Sequence, residues 1–451
     1  MAEAAAPIDI VEAHGSHVLE SGKRRYLLWL LMIAYTLSFL DRQVLSILIE
    51  PIKHELKVSD ALIGILTGPI FVIFYTFLGI PIAWLADRKS RPAIIAVSLA
   101  LWSGFTAVSG VAANFATLAL ARLGVGFGEA GCNPSSHSLI ADVSRPEQRA
   151  SGLAFYSMGV PIGTFLGLAM GGLVADAYGW RAAFMVAAAP GLVLAAVIGL
   201  TVKEPRGRSA PVDLARSVTQ PVHDFLEVIR ALAGKRTFWL VAGATGFSAF
   251  VGYAHLYYTA AFFLRCHGHE LDQIAAGFGL KAKGFLGPTL GAITGAGGLA
   301  GTLIGGWLAD RAAVRDRRAF MSVPALAAVV AVPFFFLIFT LPHALPALAL
   351  VFAPSVIGTI WYGAAYSTAQ SVVPPRFRAT SAALLLLILN LIGLGLGPAF
   401  LGIVSTYLAT QQHLGDAEGL RWAMIATGCF SLVSAALFWM ARSSVREDVV
   451  S

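Results

Sequence analysis

The sequence predicts an all-α membrane protein with twelve transmembrane helices arranged as two six-helix repeats. Three observations support this prediction. Of the 451 residues, 57% are hydrophobic and 13% are charged, whereas soluble domains carry roughly 25% charged residues. Twelve apolar segments are each long enough to cross a bilayer core, which takes about 20 helical residues. A five-residue motif also occurs once in each half of the chain.

The twelve segments are separated by short polar connections. In chain order they lie at 26–49, 60–86, 92–112, 116–141, 149–175, 181–202, 237–264, 284–309, 319–341, 344–371, 378–408 and 420–441. The mean hydropathy of the chain, +0.74, agrees with this large apolar share. Residues 1–22 lack the apolar core of a signal peptide, so we predict a tail there.

A repeated motif divides the chain in two. The pentapeptide Trp-Leu-Ala-Asp-Arg lies at the end of segment 2 (84–88) and again at the end of segment 8 (307–311). Arg149-Ala-Ser at segment 5 corresponds to Arg378-Ala-Thr at segment 11. Matches separated by about half of the chain are typical of two structural repeats. We therefore predict an N-terminal tail at 1–22, a six-helix bundle at 23–203, a linker at 204–236, a second bundle at 237–442 and a C-terminal tail at 443–451.

The linker is charged and contains several prolines. Within it, residues 222–233 place apolar side chains on one helical face, namely Phe225, Leu226, Ile229 and Leu232. This pattern predicts a short amphipathic helix on the membrane surface.

Basic residues are unevenly distributed between the two sides of the membrane. If the N-terminus is cytoplasmic, most of the 32 Lys and Arg residues fall in cytoplasmic connections, which predicts that both termini are cytoplasmic. The net charge of +7 then reflects topology and not a nucleic-acid-binding surface. We expect a monomer in the bacterial inner membrane, in contact with membrane lipids. We expect no disulfide among Cys132, Cys266 and Cys429.

Segments 1 and 4 carry ionisable residues at membrane depth. Asp41 and Arg42 are adjacent in segment 1, and Arg122 and Glu129 share one face of segment 4. At about 1.5 Å of rise per residue, Arg122 matches Asp41 and Arg42 in depth, while Glu129 lies alone about one to two turns deeper. Such residues are costly in lipid and usually mark function.

The sequence leaves two interpretations of this cluster open. It is either a structural ion-pair cluster that joins two helices, or it couples protons to movement of a substrate. A carboxylate that exchanges between apolar surroundings and an arginine can take up and release a proton. We favour coupling, with Asp41 as the first choice of proton carrier and Glu129 as the second. Arg42 and Arg122 stay charged, and we expect them to act as counter-charges or to bind an anionic head group.

The second half carries aromatic residues where the first half carries charge. These side chains line a cavity for an apolar group, or they pack and anchor the helices at the membrane interface. The asymmetry suits an amphipathic ligand with its head group near the charges. The candidate lining residues of both halves are Tyr35, Ser38, Asn133, Tyr156, Tyr253, His255, Tyr257, Trp361, Tyr362, Tyr366 and Asn390.

The sequence gives little support to an enzyme. The stretch from Gly126 to Gly131 fits GxGxxG, but it lies in a spanning segment and not in a βαβ unit. No GxxxxGK[ST] motif occurs, and Cys266-His-Gly-His269-Glu is interpreted as part of a polar loop at 265–283. We therefore predict no enzymatic activity, no metal site and no cofactor, with a proton gradient as the energy source.

The repeats and the twice-used Asp-Arg motif resemble the major facilitator superfamily. The first copy of the motif has Ala83 and Ser90 where glycine is usual, and the second copy keeps Gly306. The resemblance implies the major facilitator fold and alternating access about a central cavity. It also implies a cytoplasmic gating motif that comprises Asp87, Arg88, Arg91, Asp142, Arg149, Asp310 and Arg311.

A narrower resemblance rests on the charged positions. Asp41-Arg42 in segment 1, Gly124 through Glu129 in segment 4 and the following Leu139-Ile-Ala-Asp142 resemble the spinster-like transporters. This resemblance implies proton-driven export of lysolipids or sphingoid lipids, so we expect a small amphipathic substrate. A drug/proton antiporter or an organic-anion transporter of the same superfamily is the alternative. The glycine-rich segment 5 would suit the antiporter, and the two buried arginines would suit the organic-anion transporter.

Overall fold

A computed structural model describes residues 21–86, 88–205, 227–313, 316, 318–374 and 377–448. Within these ranges the regular secondary structure is helical throughout. Nine of the described helical stretches are long and apolar enough to cross a membrane. Most of the predicted N-terminal tail, residues 206–226 of the linker, Asp87 and the last three residues lie outside the described ranges.

The first half contains nine helical pieces that coincide with the predicted segments 1 to 6. They are α1 (Ser21–Leu56), α2 (Asp60–Thr67), α3 (Pro69–Ala86), α4 (Arg91–Gly110), α5 (Phe115–Glu129), α6 (Cys132–Val143), α7 (Pro146–Ser157), α8 (Gly159–Tyr178) and α9 (Trp180–Thr201).

The second half follows with a short helix and the pieces of segments 7 to 12. They are α10 (227–233), α11 (Arg236–Cys266), α12 (Gly268–Ala276), α13 (Ala282–Ala313), α14 (Ala319–Thr340), α15 (Ala344–Leu350), α16 (Phe352–Ile357), α17 (Trp361–Ser371), α18 (Arg378–Leu389), a π-helical segment (Asn390–Leu396), α19 (Gly397–Thr410) and α20 (Gly415–Asp448).

Several predicted segments are interrupted. Segment 4, which the sequence presents as one helix, ends its first piece at Glu129 and restarts at Cys132. Pro134 stands at the start of the second piece, where its missing N–H costs no helical hydrogen bond. Segment 2 restarts in the same way at Pro69. The break in segment 4 puts Glu129 at the last residue of α5.

The predicted loop at 265–283 is largely helical. Helix α11 continues through Arg265 and Cys266, and α12 follows after His267. The sequence placed Arg265 in an external loop because a charge usually ends a spanning segment. In the structure its charge is compensated by carboxylates of the first half, so the helix extends further.

Small residues bring the two halves into close contact. A Cβ atom added to Gly287 of α13 would lie 2.3 Å from the carbonyl oxygen of Leu168 in α8, and one on Gly172 would lie 2.5 Å from the carbonyl oxygen of Lys283. Glycine at such positions lets two helix backbones approach directly. Helix α2 meets α19 similarly, since a Cβ on Gly64 would lie 2.3 Å from the carbonyl oxygen of Pro398.

The predicted amphipathic helix is described over 227–233, where the chain is helical. Its Val228 and Leu232 are buried and belong to an apolar cluster with Phe238 and Val241 of α11. The helix therefore packs its apolar face against the second bundle. Its position on a membrane surface stays a prediction.

Candidate functional site

The first ion pair of the site joins α1 to α5. Arg122 donates from Nη1 to Oδ2 of Asp41 at 2.7 Å. The hydroxyl of Thr106 in α4 donates to the other oxygen, Oδ1, at 2.6 Å. Asp41 and Arg122 are 2% and 1% exposed, so this carboxylate is buried with a donor on each oxygen. Thr106 is a site residue that the sequence analysis missed, because a threonine in an apolar segment usually bonds its own helix.

The second ion pair joins the adjacent residue of α1 to the end of α5. Arg42 donates to Oε2 of Glu129 from Nη2 at 2.5 Å and from Nε at 3.2 Å. The guanidinium also lies over the rings of Phe39, Phe71 and Tyr75, at 5.3, 4.8 and 5.2 Å from their centroids. Arg42 is thus held by one carboxylate and three aromatic rings.

The predicted isolation of Glu129 is wrong. Helix rise predicted that Asp41, Arg42 and Arg122 lie at the same depth, and Asp41 and Arg122 do form an ion pair. Glu129 nevertheless pairs with Arg42, because the long arginine side chain spans the remaining difference in depth. The four residues form two parallel ion pairs that link the same two helices.

Polar residues of the first half form a hydrogen-bonded chain beside this cluster. The Tyr156 hydroxyl donates to Oδ1 of Asn133 at 2.5 Å, and Nδ2 of Asn133 donates to the Tyr75 hydroxyl at 3.0 Å. The ring of Tyr156 stacks on Tyr35 with centroids 4.4 Å apart. Three of the predicted lining residues, Tyr35, Asn133 and Tyr156, are therefore brought together, and Tyr75 joins them unpredicted.

The second half meets this region through α11. The Ser46 hydroxyl of α1 contacts the carbonyl oxygens of Leu256 and Tyr257 on α11, at 2.8 and 3.1 Å. Tyr253 of α11 packs against the same apolar cluster as Tyr35 and Tyr75 of the first half. It also packs against the apolar cluster of the second bundle, as Tyr366 of α17 does.

Four further predicted lining residues are buried, namely His255, Trp361, Ser38 and Asn390. Both ring nitrogens of His255 contact backbone carbonyl oxygens, at 2.8 Å from Val251 and 3.2 Å from Met424, and the ring stacks on Phe335. Trp361 stacks on Tyr362. His255 is therefore engaged within the second bundle, between α11, α14 and α20.

Comparisons with known proteins identify the family of this chain. The sequence profile of the Major Facilitator Superfamily matches residues 31–398. The chain belongs to this superfamily. A relative in Mycolicibacterium smegmatis, named an MFS-type efflux pump, is 31% identical over 93% of this chain and 93% of its own length. The sphingosine-1-phosphate transporter SPNS2 of Danio rerio is 25% identical over 92% of this chain and 83% of its own length.

A solved structure is similar over its whole length. It is the crystal structure of a bacterial homologue of the human lysosomal transporter Spinster in an inward-facing and unoccupied conformation. The two chains share 31% sequence identity with a TM-score of 0.83, over 96% of this chain and 100% of that one. The predicted all-α major facilitator fold and the spinster-like resemblance are confirmed, while the count of twelve spanning helices stays a prediction. The protein is a multi-pass membrane transporter of the superfamily and not an enzyme.

The superfamily's loop motif is built around Arg91 at the start of α4. Its guanidinium bonds to Glu204 after α9, with Nη2 to Oε1 at 2.5 Å, and to Asp142 of α6, with Nη1 to Oδ2 at 2.7 Å. Arg91 also donates to the Ser138 hydroxyl at 2.9 Å. Arg149 instead donates to the carbonyl oxygen of Ser144 at 3.4 Å.

Glu204 was not predicted as a site residue, because a lone Glu beside a proline in a charged linker carries no motif. Among the other predicted motif residues, Arg311 lies over the ring of Trp307 at 5.5 Å. Arg88 lies in the turn between α3 and α4. The side chains of Asp87 and Asp310 lie outside what the structure describes.

A second charged cluster joins the two halves at the end where α1 and α11 finish. Arg265 of α11 forms a bidentate pair with Asp60 at 2.8 and 3.0 Å and also pairs with Glu50 of α1. Lys53 bridges Asp60 and Asp416 of α20, at 3.2 and 2.8 Å. We refer to these five residues as the interhalf cluster. Its acidic members were missed because each lies at a predicted segment end, where charge is ordinary.

Proposed function

We propose that this transporter couples proton movement to the transport of an amphipathic, lipid-like substrate by alternating access. The observation that carries the proposal is the pair of buried carboxylates, Asp41 and Glu129, each bonded to its own arginine. All four side chains are 6% exposed or less. A buried ion pair is an expensive way to join two helices, since an apolar contact is often as stable. Ionisable residues at membrane depth usually mark function, so the presence of these ion pairs favours a role in transport.

The two ion pairs can exchange a proton for a ligand. Protonation of Asp41 or Glu129 removes the negative partner of an arginine that cannot itself lose its charge. An arginine left unpaired in a low-dielectric region attracts another anion strongly. A substrate with an anionic head group would bind at Arg42 or Arg122 and leave when the carboxylate ionises again. Proton binding and substrate binding are then linked through the same guanidinium groups.

An amphipathic substrate suits the surroundings of these charges. The head group would lie against the arginines of α1 and α5, and the tail against aromatic residues of the second half such as Tyr253 and Tyr362. The name of the zebrafish relative, a sphingosine-1-phosphate transporter, supports a lipid that carries a phosphate. The proposed substrate class is therefore a lysolipid or a sphingoid lipid.

Alternating access requires that the contacts between the halves open on one side at a time. In this structure three sets of contacts join the halves toward the end where α1 and α11 finish. They are the interhalf cluster, the hydrogen bond from the Ser46 hydroxyl to the Leu256 carbonyl oxygen at 2.8 Å, and the glycine contacts of α8 with α13. With cytoplasmic termini, as the basic residues predict, this is the external end. We propose that the structure represents the state closed to the outside.

The test is transport by purified protein in proteoliposomes. Uptake of a labelled lysolipid and of a labelled organic anion is measured with and without a pH gradient. We expect the lysolipid to be moved and its flux to rise with the gradient. Asp41→Asn should abolish the gradient-dependent part while the protein stays folded. Glu55→Gln is the matched control, because Glu55 pairs with Arg181 at an exposed helix end.

The outcomes separate the parts of the proposal. Lysolipid flux that ignores the pH gradient would reject proton coupling, and a gradient-driven flux of the organic anion alone would reject the lipid. Wild-type pH dependence in Asp41→Asn would show that this carboxylate does not carry the coupled proton. Unaltered affinity and flux in Arg122→Ala would reduce the cluster to a scaffold.

A second candidate is proton-driven efflux of a drug-like solute. The name of the mycobacterial relative, an efflux pump at 31% identity, favours it. Helix α8 belongs to the glycine-rich segment 5 of the sequence. Its close packing through glycines is compatible with efflux of a drug-like solute. The same proteoliposomes loaded with a fluorescent cationic drug distinguish the two: extrusion of the dye that a lysolipid does not inhibit would favour the drug.

A further inference from the structure

Arg42 is enclosed by aromatic rings from two helices. Its guanidinium carbon lies 4.8 Å from the ring centroid of Phe71 and 5.2 Å from that of Tyr75, both on α3, and 5.3 Å from that of Phe39 on α1. Phe71 and Tyr75 also stack on each other at 5.5 Å. The faces of aromatic rings attract a cation, and more strongly where water is excluded. These rings therefore compensate the charge of Arg42 independently of Glu129.

The ring of Tyr75 is fixed by residues of two other helices. Its hydroxyl accepts a hydrogen bond from Nδ2 of Asn133 on α6 at 3.0 Å. Asn133 is in turn held through Oδ1 by the Tyr156 hydroxyl of α7 at 2.5 Å. The amide of Asn133 is therefore oriented by a donor on one side and an acceptor on the other. This chain of contacts ties the position of the guanidinium to α6 and α7.

We propose that Tyr75, anchored by Asn133, is a positioning residue that keeps Arg42 against Glu129 and so sets the pH at which Glu129 takes up a proton. The inference rests on the proposed proton coupling and adds a specific role to residues outside the two ion pairs. Arg42 holds Glu129 ionised only while it stays within hydrogen-bond distance. When Glu129 is neutral, the same rings keep the cation at this depth, available to an anionic head group.

Charged and titratable groups from four helices act on Glu129. They are Asp41 and Arg42 of α1, Arg122 of α5, Cys132 of α6 and Tyr257 of α11. Within the described part of the chain, Arg42 is the residue that donates hydrogen bonds to this carboxylate. If Arg42 moves out of hydrogen-bond distance, the ionised form of Glu129 therefore loses its principal stabilisation. The protonation midpoint of Glu129 should then move to higher pH.

The inference is tested by titrating Glu129 directly. Infrared difference spectra of the protein in lipid, recorded across pH, identify the protonated carboxyl band that Glu129→Gln removes. We expect Tyr75→Leu, which removes the ring, to raise the midpoint by about 0.5 to 1 pH unit. Asn133→Leu should raise it in the same direction. Tyr75→Phe keeps the ring but not its anchor, so its shift should be smaller.

The control removes a comparable hydroxyl elsewhere. Tyr407→Phe breaks the hydrogen bond from Gln412 at an exposed helix end and should leave the midpoint unchanged. An unmoved midpoint in Tyr75→Leu, in a protein of normal thermal stability, would overturn the inference. So would a Glu129 that does not titrate in the wild type. Flux measured in parallel tests the proposed coupling separately, since a titrating Glu129 with pH-independent flux would reject coupling and keep the positioning role.

Discussion

Arg42 bonds to one oxygen of Glu129 and leaves the other without a hydrogen-bond partner among the described residues. Nη2 and Nε of Arg42 both point to Oε2, at 2.5 and 3.2 Å, while Oε1 is buried and unpaired. Asp41 differs, because Arg122 and Thr106 each donate to a separate oxygen. The two carboxylates of the site are therefore unequally stabilised, and their contacts can be removed one at a time.

Thr106→Val should lower the stability of the protein. The substitution keeps the shape of the side chain but removes the donor to Oδ1 of Asp41, which leaves a buried carboxylate oxygen without that hydrogen bond. A hydrogen bond to a charged group contributes about 1.5–3 kcal/mol. Thermal unfolding in detergent measures the loss. Thr427→Val, which removes a buried hydroxyl bonded to its own helix, is the control. An equal loss in both variants would contradict a specific contribution of the Thr106–Asp41 hydrogen bond.

Removal of one member of the Asp41–Arg122 pair should cost more stability than removal of both. Arg122→Gln leaves a buried carboxylate without its cation, which costs about 3–5 kcal/mol at a pH where Asp41 stays ionised. The double variant Asp41→Asn with Arg122→Gln leaves two neutral side chains and should recover most of this loss. Thermal unfolding in detergent compares the single variants with the double. Additive losses would mean that the two residues stabilise the protein independently.

The interhalf cluster closes one end of the protein. Arg265→Gln should increase the population of molecules in which this end is open. The side chain bonds to first-half carboxylates at only 8% exposure, so its loss leaves Glu50 and Asp60 with reduced compensation. Spin labels at exposed Lys57 and Gln411, one in each half, report the separation. The native cysteines are first replaced. We expect a longer distance or a second, longer population.

The control for this experiment lies in the same region. Arg421→Gln removes a guanidinium that pairs with Glu418 within α20, so it breaks no contact between the halves. Its label distances should match those of the parent. If Arg265→Gln shows the parent distances as well, the glycine contacts of the helices hold this end closed without the cluster.

Gly287→Ala should slow transport by obstructing contact between α8 and α13. The added methyl would lie 2.3 Å from the Leu168 carbonyl oxygen and 3.1 Å from Cα of Gly172, so two backbones must separate. We expect at least a several-fold loss of flux with little change in substrate affinity. Gly298→Ala on the same helix has open space at its Cβ position and should behave as wild type. Equal activity of the two variants would contradict a functional role for this contact.

Much of the architecture could be predicted from the sequence because apolar helices must satisfy their own backbone hydrogen bonds in lipid. Segment positions and the recurring Trp-Leu-Ala-Asp-Arg motif depend on local composition, and they led to the correct fold. The common depth of Asp41, Arg42 and Arg122 also followed, since helix rise fixes depth along a helix. Breaks such as the one after Glu129 were not anticipated, because Ala130 and Gly131 carry no strong helix-ending signal by themselves.

What the sequence determined by itself is which residues lie in the membrane and which of them are charged. The tertiary structure decided their partners. The Arg42–Glu129 pair, the rings of Phe71 and Tyr75 on α3, and the contact of Arg265 with Asp60 each join helices far apart in the chain. Such contacts depend on helix tilt, on where a helix ends and on the reach of a side chain. Depth along a single straight helix contains none of this information, so the contacts appear only when the helices are packed together.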